Sequence, residues 1–199
     1  IQSYAANTVD DKGNERKLGE ADLNWQANLA LSFGAKKLYY YTYWRFQTRS
    51  ALVKPDVAIM DDDGTKILYD EAKNNNALIK KIFKFIGDYE YCKSELLGRD
   101  DDNAALKGVV SDNLGIISDY SAESPVLVNE MSNGEKKIYC LFNCRDPFVK
   151  TQNRVRLVLN SGKNEYSAIV KGEKKTLKAK NGELEYSFAP GEAIWLLER

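Results

Sequence analysis

The stretch Glu20-Ala-Asp-Leu-Asn-Trp-Gln-Ala-Asn-Leu-Ala-Leu-Ser-Phe-Gly-Ala-Lys-Lys-Leu-Tyr-Tyr-Tyr-Thr-Tyr-Trp44 passes from one periodicity to another with almost no loop between them. Leu23, Ala27, Ala30 and Leu31 recur at helical spacing, and Gly34 stands where a helix C-terminus favours a residue free to take positive φ. Leu38 to Trp44 is a β-prone aromatic run. Together they predict a helix feeding a buried strand whose exit carries Tyr43, Trp44 and Arg45, which is the form of a barrel unit with a site at its exit.

Outward from that stretch, Thr48 to Leu68 is a long excursion containing Pro55 and the turn Asp61-Asp62-Asp63-Gly64. Loops longer than about 12 to 15 residues are uncommon unless functional or disordered, and this one follows the C-terminal end of the expected strand. A second helix is expected from Tyr69 to Ile86, with Ala72, Leu78, Ile79, Ile82, Phe83 and Ile86 as its apolar stripe and a Lys-rich, solvated opposite face. From about residue 104 the period changes to two. Strands are expected at Leu106 to Val110, Val126 to Glu130, Lys137 to Phe142, Val155 to Leu159, Tyr166 to Val170, Lys175 to Leu177, Leu184 to Phe188 and Ala193 to Leu197. The fold class expected is α/β plus all-β: residues 1–93 as the C-terminal portion of a (β/α)8 TIM barrel, 94–104 as a linker, and 105–199 as an antiparallel β-sandwich. Two barrel units cannot close a barrel, so both helices are expected to leave apolar faces uncovered.

Composition narrows the function classes. The 199 residues carry 29 basic and 29 acidic side chains, so no global field draws nucleic acid or anionic lipid, and no window approaches the roughly 20 apolar residues of a membrane helix. Neither nucleic acid nor a membrane is an expected partner. With no histidine, a Ser-His-Asp triad within the chain is ruled out, and the spacing of Cys140 and Cys144 fits no common zinc pattern. No metal and no cofactor are expected, and Cys92, Cys140 and Cys144 read as buried structural thiols. The Asp61 to Gly64 turn lacks the alternating ligands of a calcium loop and reads as an ordinary turn before a helix. The chain opens at Ile1 as if an N-terminal portion preceded it, which leaves the compartment open.

Several motifs carry a resemblance. Ile1-Gln2-Ser3-Tyr4, the helix from Trp25-Gln26 to Lys36, the run Tyr40-Tyr41-Thr42-Tyr43-Trp44, the Asp61 to Gly64 turn and the helix from Tyr69 resemble the tail of the barrel in β-galactosidase-like glycoside hydrolases of the family 42 type. Val126-Leu-Val-Asn-Glu130, Tyr139 to Asn143 and Ala189-Pro-Gly-Glu-Ala-Ile-Trp195 resemble the small sandwich that ends many such enzymes. The resemblance implies a fragment acting on β-linked sugars, possibly β-galactosides, through acid-assisted departure of the aglycone. In that pattern a nucleophilic Glu precedes the Gln aligned with Gln2, yet Ile1 stands there, so no catalytic carboxylate is assigned. Trp44, Tyr43, Arg45, Gln2 and Tyr4 are the expected substrate-binding residues, with a carbohydrate as the partner. In the strand reading Tyr43 and Trp44 point to opposite sides, and most of Tyr39, Tyr41 and Tyr43 pack as core. The alternative from another class is a non-catalytic carbohydrate-binding or interface module whose working part is the sandwich.

Overall fold

A computed structural model describes residues 1, 18–41, 43–44, 58–61, 63–98 and 113–198. Two helices, α1 (Glu20–Ser32) and α2 (Tyr69–Ile86), precede nine strands. These are β1 (Glu90–Leu97), β2 (Ile117–Ala122), β3 (Val126–Ser132), β4 (Lys137–Asn143), β5 (Asn153–Leu159), β6 (Glu165–Val170), β7 (Glu173–Lys178), β8 (Glu183–Phe188) and β9 (Ala193–Leu197). The strands form a six-stranded sheet in the order β1-β3-β4-β9-β6-β7 and a three-stranded sheet in the order β2-β5-β8. All pairings between these strands are antiparallel.

Three layers result, and the pleat of β3 and β4 builds them. On β4, Tyr139 and Leu141 face the small sheet, whereas Ile138, Cys140 and Phe142 face the helices. The inter-sheet core adds Val126, Val128, Ile194 and Leu196 from the large sheet to Val155, Leu157, Leu184 and Phe188 from the small one. On the opposite face Leu127, Met131, Ile169 and Trp195 meet Leu31 of α1 and Ile82 and Ile86 of α2. Both faces of β3 and β4 at the middle of the large sheet are thus dry, Asn129 and Glu130 included, so the two strands are buried along almost their whole length.

The barrel expectation is corrected by this arrangement. A mostly antiparallel fold of two sheets with two helices has neither the parallel strands nor the helices of a TIM barrel, and the hydrolase and glycosidase reading tied to that barrel loses its footing. The physical reason is that an amphipathic helix needs only some apolar face to cover. Here α1 and α2 find it on the outer side of the large antiparallel sheet, so the uncovered faces expected for them are filled. Nor is Leu38 to Trp44 a regular strand: Trp44 makes an isolated parallel bridge to Met60. The strand expected at Leu106 to Val110 lies outside the described residues, as does most of the 94–104 segment, whose first residues belong to β1.

Polar side chains fix α1 to the sheet. The Asn28 side-chain amide donates to the Gly191 carbonyl at 2.8 Å, and buried Asn129 donates to the Ser32 carbonyl and hydroxyl at 3.1 and 2.9 Å. At the N-terminus of α1 the Gly19 amide donates to the Asp22 carboxylate at 3.0 Å, satisfying a helix-end group from within the chain. All three cysteines are free; Cys140 is buried, Cys144 half-buried and Cys92 exposed, which corrects the expectation of burial for Cys92.

Burial also sets an alkaline limit. It pushes the Tyr139 phenol up to about 12, with the charges of Glu130 and Glu198 adding to the effect, and it pushes the Cys144 thiol up to about 12, partly offset by a backbone hydrogen bond. Both groups hold their protons more tightly folded than unfolded, where their ordinary values are 10.0 and 9.0. The unfolded chain therefore binds fewer protons above about pH 9, and stability falls as pH rises from there towards 12. Urea midpoints should be level below pH 9 and decline above it, with a smaller decline in Cys144→Ala; a flat profile to pH 11 would refute this.

Candidate carbohydrate-contact surface

The segment from Tyr39 to Trp44 is held from both sides by backbone bonds. The Ile1 backbone nitrogen donates to the Tyr39 carbonyl at 2.6 Å and the Tyr41 amide to the Ile1 carbonyl at 2.8 Å, while the Met60 amide donates to the Tyr43 carbonyl at 2.8 Å. This fixes a row of aromatic side chains in solvent: Tyr39 is 74% exposed, Tyr41 62%, Tyr43 45% and Trp44 51%. Their expected packing as core residues is corrected, because no regular sheet pleat governs the segment. Tyr43 and Trp44 do not part to opposite sides either. Their ring centroids lie 5.4 Å apart at 75°, an edge-to-face pair presented as one surface.

Tyr40 turns the other way, towards α2. Its hydroxyl accepts from the Asn75 amide at 3.0 Å and donates to the Asn76 side-chain oxygen at 3.1 Å. Burial raises its pKa, and the Asn75 bond works against that rise. Asn75 is fully buried, and its own oxygen has no hydrogen-bond partner. Leu23, Ile59 and Ala72 form a small apolar cluster beneath, with Ile1, Tyr40, Met60 and Tyr69 packed around it.

Beside these aromatics opens a groove of about 380 Å³, within the usual range for small-molecule sites. Tyr40, Tyr43, Tyr69, Lys73, Asn76 and Lys80 line it over a floor that includes Ile59 and Ala72. The Lys66 ammonium sits 4.9 Å from the Tyr69 ring centroid, a cation–π contact that holds this ring at the rim. The Asp61 to Gly64 turn lies close by in sequence, closed by the Gly64 amide on the Asp61 carbonyl at 2.9 Å, with Gly64 at φ 86°. Among the described residues no cluster of three metal-ligating side chains occurs, and no helix is long and apolar enough to cross a membrane.

Of the residues expected to contact substrate, Tyr43 and Trp44 are brought together at this surface; Gln2, Tyr4 and Arg45 lie outside the described residues. Sequence reasoning missed Tyr40, Tyr69, Asn76, Lys73 and Lys80. A signal was available: Lys73, Asn76 and Lys80 occupy the polar stripe of α2 at successive spacings of three and four, which places them on one helix face. Trp25 and Trp195 are packing residues: Trp25 stands edge-on to Phe142 at 5.2 Å and Trp195 is fully buried.

Two other concavities have a weaker claim. At one end of the paired sheets, a cavity of about 260 Å³ is lined by Tyr139, Tyr166, Ser161 and Lys163, and the Ser161 and Tyr166 hydroxyls bond each other at 2.8 Å. On the outer face of the small sheet Arg156 is held between Asp119 at 2.7 Å and Glu183 at 3.2 Å, a closed ion-pair ladder.

No family model matches this chain, and no curated protein matches it.

Proposed function

We propose that the chain binds β-linked saccharides at the Tyr43–Trp44 surface and positions them for a carbohydrate-active protein. The observation that carries this reading is the edge-to-face pair of two half-exposed rings beside an open groove. Aromatic area held in solvent is unfavourable to leave uncovered, and an indole offers a flat apolar face on which the C–H side of a pyranose stacks. Amide, phenol and ammonium groups in the groove meet the hydroxyls. In this reading the chain supplies substrate contacts and no assigned catalytic pair. A module whose sandwich carries the sugar is less favoured, since the outward face of the small sheet spends its charged groups on one another.

Trp44→Ala should weaken binding of a β-linked galacto-oligosaccharide about ten- to a hundredfold, the equivalent of about 1 to 3 kcal/mol of lost aromatic contact. Titration calorimetry reads the affinity, and thermal unfolding should be unchanged because the ring is half in solvent. Tyr120→Ala, at an exposed aromatic on β2, serves as the control. Unchanged affinity in Trp44→Ala, or an equal loss in Tyr120→Ala, would remove the assignment. The same chain is expected to show no turnover of a chromogenic β-galactoside, and turnover would show that a carboxylate pair had been overlooked.

A further inference from the structure

The groove discriminates by charge. Resting on the saccharide reading above, we infer that its ligand is an anionic saccharide, one bearing carboxylate or sulfate groups, held by Lys73 and Lys80. Both ammonium side chains line the groove, and among the described residues no carboxylate does. This is a local imbalance in a chain whose basic and acidic residues are equal in number.

Among the described residues four cations are already held by carboxylates, and these two lysines are not among them. Lys36 is paired with Glu90 at 3.2 Å, Lys137 with Glu130 at 3.1 Å, Arg145 with Glu123 at 3.3 Å and Arg156 with Asp119 at 2.7 Å. Neither Lys73 nor Lys80 forms an ion pair with a described residue, and both are exposed. The nearest acidic positions on α2, Asp70 and Glu71, belong to its first turn, where they complement the helix dipole.

Geometry then sets what the pair can hold. Seven positions along a helix bring side chains back to one face, separated by about 10 Å along the axis. Two ammonium groups so placed reach anionic groups on different units of one glycan chain. Tyr43 and Tyr69 give the same chain aromatic walls, and Asn76 lies between the lysines as a neutral partner for hydroxyls. A neutral sugar satisfies the walls and leaves both cations unused; an anionic one uses both.

The test compares three β-linked oligosaccharides of equal length: a neutral galactan fragment, an oligoglucuronate and a sulfated galactan fragment. Each is titrated into the wild-type chain, Lys73→Gln/Lys80→Gln and the control Lys174→Gln/Lys178→Gln, whose lysines stand on edge strand β7. At low salt at least one anionic ligand should bind the wild type about tenfold tighter than the neutral one. That advantage should vanish in the groove variant and near 1 M salt, where the screening length is only about 3 Å, and persist in the β7 variant. The carboxylate and sulfate arms identify which group is recognised. Equal binding of neutral and anionic ligands by the wild type would overturn the charge inference and leave the saccharide reading intact. Loss of the advantage in the β7 variant as well would overturn it as general charge attraction. Failure of all three ligands to bind would overturn both readings.

Discussion

Trp195→Ala should lower the unfolding free energy by about 3 to 5 kcal/mol, the range for deleting a buried aromatic from a core. The indole is fully buried on β9, flanked in register by Cys140 of β4 and Ile169 of β6. It belongs to the layer where Leu31, Ile82 and Ile86 of the helices meet the large sheet, so its removal opens a cavity at the contact that makes the molecule three layers deep. Total stabilities of about 5 to 15 kcal/mol leave little margin for such a loss. The indole nitrogen has no hydrogen-bond partner, which gives the experiment a second arm. Trp195→Phe keeps much of the ring volume and removes an unpaired buried donor, so it should cost less than about 1.5 kcal/mol. Urea unfolding followed by circular dichroism measures both. A loss below 1 kcal/mol in Trp195→Ala would mean that the helices do not depend on the sheet for their cover.

What the sequence made legible was local. The stripe of α2 predicts Tyr69 to Ile86, the observed span, and α1 ends at Ser32, two residues before the Gly34 that marks its C-terminus in sequence. β1 and β2 escaped the period-two pattern because each carries a register shift, between Tyr91 and Lys93 and between Ile117 and Asp119, that breaks the alternation. β2 is also mostly exposed along its length, so it has little apolar pattern to show.

The layer order was misread for a different reason. A helix followed by an aromatic run satisfies the grammar of a barrel unit, but what covers α1 is β3, β4 and β9, about a hundred or more residues away, and spacing within a window cannot report that. One clue was present in Val126 to Val128 and Ile138 to Phe142. Runs apolar on both pleat faces describe a sheet covered on both sides, and a two-layer sandwich leaves nothing to cover the second. At the candidate surface, Tyr43 and Trp44 were found because they end an aromatic run, although the strand expected to carry them is not formed. Lys73 and Lys80 were passed over because the polar stripe of α2 places them on one face without showing that this face borders a groove.

Gly191→Ala should approach the loss of Trp195 in its damage, at about 2 to 5 kcal/mol, though it adds only a methyl group. Gly191 lies in the β8–β9 turn at φ 73°, and an added Cβ would lie 2.2 Å from the Ala21 carbonyl oxygen and 3.0 Å from its carbon. The turn has no freedom to retreat. The Ala189 amide donates to the Glu192 carboxylate at 2.8 Å, the Tyr186 hydroxyl donates to its other oxygen at 3.0 Å, and the Asn143 amide donates to the Ala189 carbonyl at 3.2 Å. The first turn of α1 must therefore yield. That strands the buried Asn28 donor, worth about 1 to 3 kcal/mol, on top of about 1 to 2 kcal/mol for a side chain at positive φ. Gly134→Ala, at φ 90° with nothing within 4 Å of the new carbon, should show the conformational cost alone. A functional consequence follows from the packing of α1 on α2: Leu23 and Ala72 share one cluster, and the Asn74 amide reaches Glu20 at 3.4 Å. Gly191 lines no part of the groove, yet displacing α1 disturbs the helix that carries Lys73, Asn76 and Lys80. Gly191→Ala should thus lose saccharide affinity as well as stability, while Gly134→Ala keeps its affinity. Equal stabilities for the two variants would show that the turn adjusts and that α1 is not anchored there.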